Sequence, residues 1–162
     1  MAIARCASGS SAFHLAVQSL RAGSTDVALA IGVEKMNVPD KLKALSLFDA
    51  GWDVSRAEEN FARLIHMGEG VPIPPGSQSD KPYSRFMEIY AALCRHHMKT
   101  HGTTQRQIAA AASKNHRHGS LNPLAQYRFE LTVEEVLADR EISWPLTRAM
   151  CSPLGDGAAA AL

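Results

Sequence analysis

The pattern of apolar and polar positions is most regular within the first 37 residues. Ser10 and Ser11 are small polar residues suited to a helix start, and Gly23 is suited to a helix end. Between them, apolar residues recur at helical spacing: Phe13, Ala16, Val17 and Leu20. The pattern predicts a helix over 12–22 with few polar positions, and therefore a mostly buried one.

Two short apolar runs predict strands. The run at 27–31 follows the helix after a four-residue turn, and the run at 157–162 ends the sequence. A continuous apolar run of this length is typical of a strand buried on both faces. The order of helix, tight turn and buried strand predicts an α/β layered sheet.

The region between the strands has a different character. Glycine and proline interrupt 38–82, which predicts an ordered excursion with a short amphipathic piece at 55–66. Helical patterns follow at 83–101, ending at Gly102, and at 104–118, ending at Gly119. Two capping boxes are predicted, Thr104 with Gln107 and Thr132 with Glu135.

Composition narrows the functional classes. Of 162 residues, 46% are hydrophobic and 20% are charged, with a net charge of +1. This balance argues against binding to nucleic acid or to a membrane surface, and no apolar run is long enough to cross a bilayer. Three widely spaced cysteines are a poor disulfide framework, and the start lacks the apolar segment of a secretory signal. We therefore expect a reducing compartment.

Cys6 is the first candidate for chemistry. It lies just before the predicted buried helix, where backbone N–H groups and the helix dipole favour a thiolate. Position alone favours the alternative, a small buried structural cysteine. Cys94 lies among apolar residues and is predicted to be core, and Cys151 is predicted to be a packed turn residue.

The histidines offer the other candidate site. His97 and His101 are four residues apart on one predicted helix, and His116 and His118 follow. No third ligand accompanies them at metal-binding spacing, so we predict a solvated basic face and no metal.

Several motifs together resemble the thiolase family. The segments 6–16 and 26–37 resemble the nucleophile helix and the following strand of thiolases. Five later segments resemble the sterol-carrier-protein type of thiolase: 101–104, 114–118, 121–123, 131–137 and 156–161. The similarity covers nearly the whole chain, in the right order.

The resemblance implies a fold. It is part of a thiolase-like layered α/β fold, with a nucleophile helix, buried parallel strands and a mostly helical loop-domain insertion. Residues 1–37 would hold the nucleophile helix and the next strand, and 38–150 the loop domain. Residues 151–162 would return to the core sheet, with the last strand cut short. The strands at 27–31 and 158–162 would then be adjacent and parallel.

The resemblance also implies an activity. The chain would be an acyltransferase acting on acyl-CoA or 3-ketoacyl-CoA thioesters, and Cys6 would form the acyl-enzyme and donate a backbone N–H to an oxyanion hole. Ser152 and Ala149 would lie beside the pantetheine arm of CoA. CoA is a substrate, no cofactor is tightly bound, and the full-length family is a dimer or tetramer. The expected location is cytoplasmic, or peroxisomal in a eukaryote.

The same resemblance implies missing parts. Family members are more than twice as long, and this chain resembles the second part of their N-terminal half. The family's catalytic His in a Gly-His-Pro context and its Cys-x-Gly motif have no counterpart, and Cys151 is followed by Ser-Pro. We therefore expect the chain to be inactive alone. The alternative is a non-catalytic truncated polypeptide or a subunit completed by another chain.

Overall fold

The computed structural model describes residues 7–48 and 53–162. The chain divides into two compact units, one formed by 1–55 with 154–162 and the other by 56–153. The mixture of helices and small sheets confirms the predicted α/β class. The functional assignment of the three predicted segments stays a prediction.

The first unit pairs one long helix with a two-stranded sheet. Its elements are α1 (Ser8–Arg21), β1 (Ala30–Glu34), α2 (Lys41–Ser46) and β4 (Gly157–Ala161). The helix α1 packs against β1. The strand predicted at 27–31 is observed three residues later, as β1. The strand predicted near the end of the sequence is confirmed as β4.

The start of α1 differs from the prediction. Ala7, rather than Ser10 or Ser11, is the N-cap residue, because both serines already lie inside the helix. The end is as predicted: Gly23 has a φ of 65°, the left-handed conformation that glycine adopts at low cost.

The predicted burial of this unit is wrong. Phe13 is 54% exposed, Leu15 is 64% exposed, and every residue of β4 is exposed. Within the described part of this unit, α1 packs against the sheet, and a sheet of only two strands covers only part of the helix. The apolar pattern identified the right elements, but the described residues of this unit leave their apolar side chains exposed.

The predicted parallel pairing is also wrong. β1 and β4 are antiparallel, with Ala30 opposite Ala161 and Glu34 opposite Gly157. The chain between the strands thus leaves the sheet after β1 and returns to it at β4 at the same end of the two strands. Parallel strands would need a connection that runs back to the opposite end of the sheet.

Asp156 fastens the two ends of the excursion. Its carboxylate accepts hydrogen bonds from the backbone N–H of Met36 at 2.9 Å and of Asn37 at 2.8 Å, and it pairs with Lys35. The bond from Lys35 and those from the two amides lower the pKa of Asp156. The ionised carboxylate therefore favours the antiparallel closure.

Acidification is expected to release this contact. A carboxylate with a lowered pKa in the folded state stabilises above its ordinary pKa, and that contribution is lost as pH falls below about 4. In an NMR titration from pH 6 to pH 2, the amide protons of Met36 and Asn37 should shift upfield together. In Asp156→Asn, which keeps an acceptor oxygen but has no charge, this titration should vanish. An unchanged titration in that variant would assign it to another group.

The second unit carries the better-buried core. Its elements are α3 (Ala57–His66), α4 (Arg85–His101), α5 (Gln105–Ser120), α6 (Val133–Ala138), β2 (Glu141–Ser143) and β3 (Leu146–Thr147). β2 and β3 form an antiparallel pair. The buried apolar residues are Ile89, Ala91, Ala92, Ala109, Val136, Ile142 and Leu146.

The helix boundaries of this unit follow the local signals. Both predicted capping boxes form, at Thr104 before α5 and at Thr132 before α6. Gly102 ends α4 with a φ of 70°. Gly119 does not end its helix, because α5 continues to Ser120.

Candidate functional site

Cys6 lies outside the described residues, so its predicted role stays a prediction. The described chain resumes at Ala7, and α1 begins at Ser8, two residues after the cysteine. Beside the first turns of α1 lies an apolar cavity of about 230 Å³, lined by Gly9 and Phe13 and by residues of β1 and β4. A Cβ added to Gly9 would meet no atom within 4 Å, so the space beside Gly9 is open.

Ala149 and Ser152 come together in the second unit. Both line an open cavity of about 270 Å³, formed where α5 lies beside the segment that follows β3. Arg148–Met150 forms a short 3₁₀ turn, and the backbone N–H of Cys151 donates to Arg148 O at 3.0 Å. Ala149 is half-buried and Ser152 is exposed, so a small residue and a hydroxyl share one accessible wall.

The turn that carries these residues is anchored at its start. The Arg148 guanidinium donates two hydrogen bonds to the Asp139 carboxylate, at 2.9 and 3.1 Å. Burial raises the pKa of Asp139, but the bonds from the Arg140 backbone and the Arg148 side chain outweigh it and lower the pKa overall. The buried Thr147 hydroxyl donates to Val136 O at 2.7 Å. The turn is thus fixed to α6 and to the residue that follows it.

A histidine attaches the same turn to α5. His116 Nε2 lies 3.0 Å from Ala149 O, and the ring stacks on Phe129. The prediction of a solvated basic face is wrong for His116, which is half-buried, whereas His97, His101 and His118 are exposed. Sequence periodicity missed this residue because its partners lie in two separate loops.

The surroundings of the two described cysteines disfavour the thiolate form. Burial raises the pKa of both Cys94 and Cys151, which lowers the fraction of reactive thiolate at neutral pH. Cys151 lies in the wall of the Ala149–Ser152 cavity, and its thiol is 3.4 Å from Thr147 O. Both residues are half-buried: Cys151 is part of a packed turn, as predicted, whereas Cys94 lies beside the buried core rather than within it.

A larger cavity of about 380 Å³ lies elsewhere on α5. Lys114, Arg117 and His118 line one side of it, and Glu130 and Glu135 also line it. Because both signs of charge meet there, the cavity does not select for a ligand of one charge.

The two histidines near the end of α4 contact each other and a neighbouring threonine. His97 and His101 contact each other with ring centroids 4.5 Å apart, and His97 Nδ1 is 2.9 Å from the Thr103 hydroxyl. Within 7–48 and 53–162, no group of three or more His, Cys, Asp or Glu side chains is placed to hold a metal ion. In the same part of the chain, no helix is both long and apolar enough to span a bilayer.

Comparison with known proteins supports a common origin over nearly the whole chain. Residues 2–72 match the family model of the beta-ketoacyl synthase N-terminal domain. An acetyl-CoA acetyltransferase of Methanothermobacter thermautotrophicus is 33% identical over 161 residues, which cover 98% of this chain and 35% of that protein. Sterol carrier protein 2 of Homo sapiens is 32% identical over 157 residues, covering 97% of this chain and 26% of that protein.

A thiolase is among the relatives as well. The benzoylsuccinyl-CoA thiolase subunit BbsB of Thauera aromatica is 29% identical over 157 residues, covering 96% of this chain and 34% of that protein. These similarities confirm the thiolase-type resemblance. The chain spans about a third or less of the length of these curated relatives.

Proposed function

We propose that this chain, a partial relative of acetyl-CoA acetyltransferases, carries the nucleophile and the CoA-binding turn of a thiolase-like acyltransferase. The observation that carries the proposal is the 98% coverage of the chain by its match to an acetyl-CoA acetyltransferase. That match includes both the Cys6 segment and the turn at 149–152. The substrates are acyl-CoA or 3-ketoacyl-CoA thioesters.

The chemistry assigned to Cys6 is acyl transfer between two thiols. The Cys6 thiolate attacks the carbonyl carbon of an acyl-CoA thioester, and the oxygen becomes an oxyanion that the Cys6 N–H helps to stabilise. When the tetrahedral intermediate collapses, a thioester to Cys6 remains and CoA leaves as a thiolate. In the second half-reaction a CoA thiolate attacks the carbonyl carbon of this thioester, and Cys6 leaves as a thiolate, so that a new acyl-CoA forms.

The second unit has the role of holding CoA. Ala149 and Ser152 line one open cavity, where a narrow chain can pass the small side chain and meet the hydroxyl. The remaining catalytic groups would come from sequence that these relatives have outside the matched region. A dimeric or tetrameric whole protein, in the cytoplasm or peroxisome, stays a prediction.

Blocking the cavity tests the assignment of CoA to it. Ser152→Trp places a large side chain on an exposed position of the cavity wall, and we expect it to weaken CoA binding at least about tenfold, or about 1.4 kcal/mol. The measurement is isothermal titration calorimetry of CoA into the 162-residue chain. Ala111→Trp is the matched control, because Ala111 is exposed on α5 and lines none of the three cavities described above. Equal weakening by both variants, or by neither, would contradict the assignment.

A further inference from the structure

We propose that His116 is a positioning residue that fixes the turn at 149–152 in its CoA-binding form. The inference rests on the proposed function in one respect, the assignment of CoA to this turn. What it adds is a residue on α5 that no part of the resemblance assigned to the site.

The hydrogen bond has a defined direction. His116 Nε2 is 3.0 Å from Ala149 O, and a carbonyl oxygen only accepts. Nε2 therefore carries the hydrogen, whatever the state of Nδ1. The acceptor belongs to the same residue whose small side chain lines the cavity, so the bond acts directly on the cavity wall.

Aromatic neighbours hold the imidazole in the orientation that this bond needs. The ring centroids of His116 and Phe129 are 5.2 Å apart, with 30° between the ring planes. The ring centroids of His116 and Tyr127 are 6.4 Å apart, with 7° between the ring planes. Tyr127 and Phe129 contact each other at 5.5 Å. A ring stacked in this way loses contacts if it rotates away from Ala149.

A glycine permits this arrangement. A Cβ added to Gly119 would lie 2.8 Å from Tyr127 O, so a side chain there would push the loop away from α5. The close approach of the loop keeps both aromatic rings beside His116. α5 thus presents a preoriented donor to the turn.

His116 also acts on a different part of the turn from the other anchors. The bonds of Thr147 and Arg148 reach α6 and Asp139, at the start of the turn. The bond from His116 reaches Ala149, two residues before Cys151. Losing it should free the cavity wall, including the Cys151 thiol, while the first anchors hold.

Two substitutions separate the donor from the ring. His116→Phe keeps an aromatic ring and removes the donor, whereas His116→Gln keeps a donor and removes the ring. His118→Phe is the matched control, because His118 is exposed on the same helix. The first readout needs no ligand: the alkylation rate of Cys151 by iodoacetamide in the native chain, measured by peptide mass spectrometry, with Cys94 as internal reference.

The expected result follows from one lost hydrogen bond. His116→Phe should raise the Cys151 rate about fivefold, His116→Gln should restore most of the original rate, and His118→Phe should leave it unchanged. The Cys94 rate should not move in any variant. An unchanged Cys151 rate in His116→Phe would overturn the proposal. So would a parallel rise of Cys94 in both His116 variants, because His116 would then stabilise the whole unit.

The second readout links the turn to CoA. In calorimetry, His116→Phe should weaken CoA binding about fivefold, and His116→Gln should recover it in part. If the parent chain binds CoA and both readouts are unchanged in His116→Phe, the inference fails and the proposed function stands. If the parent chain does not bind CoA, the proposed function fails, and the Cys151 rates still decide whether His116 positions the turn.

Discussion

Replacing Arg95 with leucine is expected to lower the free energy of unfolding of the second unit by about 3 kcal/mol. Arg95 lies on α4 and is only 6% exposed. Its guanidinium donates to Trp144 O at 2.6 Å and to Gly68 O at 3.4 Å. Leucine would leave both carbonyl oxygens without these donors in a region that excludes water, which is costlier than losing an exposed hydrogen bond.

The chain around Arg95 is packed too closely to rearrange around a substituted side chain. A Cβ at Gly68 would lie 2.7 Å from Ala92 Cα, so the chain after α3 is already in close contact with α4. Burial lowers the pKa of Arg95, which shows that the surroundings disfavour the charge. The hydrogen bonds give the buried guanidinium two carbonyl partners, and they connect α4 to one segment before it in the chain and one after it.

Equilibrium urea unfolding followed by far-ultraviolet circular dichroism measures the loss. Arg95→Lys keeps the charge but lacks the fork that reaches both carbonyls, so it should lie between the parent and Arg95→Leu. Arg106→Leu is the control, because Arg106 pairs with Glu134 on the surface of α5 and should leave the transition unchanged. A loss in Arg95→Leu no larger than in this control would show that water reaches the two carbonyls.

Sequence alone predicted the features that depend on neighbouring residues. The capping boxes at Thr104 and Thr132, and the left-handed glycines at 23 and 102, need only a few residues of context. Burial of α1 and the direction of β4 depend on what packs against them from far along the chain. Beside the antiparallel pair, Asp156 accepts hydrogen bonds from the amides of Met36 and Asn37, a contact across about 120 residues that periodicity does not encode.

Some residues of the candidate site were likewise indicated by the sequence, and others were not. Resemblance identified Ala149 and Ser152 three residues apart, and the structure places both on one cavity wall. His116 was predicted to be solvated, because a histidine on a polar helix gives no sign of a carbonyl 33 residues away.

Cys6 should accept an acyl group from acetyl-CoA, and Cys6→Ala should abolish this modification entirely. The thioester exchange needs a thiolate and a bound acyl-CoA. In the sequence Cys6 directly precedes Ala7, the N-cap residue of α1, and a thiol placed at a helix N-terminus would have its thiolate favoured by the helix dipole and the free N–H groups. Burial raises the pKa of Cys94 and Cys151, which should keep both unmodified. We expect a single acylation without turnover, because the chain spans only 35% of the relative in which the activity is named.

The alternative function predicts a different pattern. A non-catalytic polypeptide, or a subunit that only supports another chain, could bind CoA at the turn while Cys6 stays free. CoA binding and Cys6 acylation are therefore separate observations, and only the second requires a nucleophile.

Peptide-level mass spectrometry of the native 162-residue chain, incubated with acetyl-CoA at neutral pH, tests the central claim most directly. The account predicts a hydroxylamine-sensitive acetyl group on Cys6, its absence from Cys94 and Cys151, and its loss in Cys6→Ala. Cys94→Ala and Cys151→Ala should leave the modification of Cys6 in place. An unmodified Cys6, or equal acetylation of all three cysteines, would contradict the assignment of Cys6 as the nucleophile.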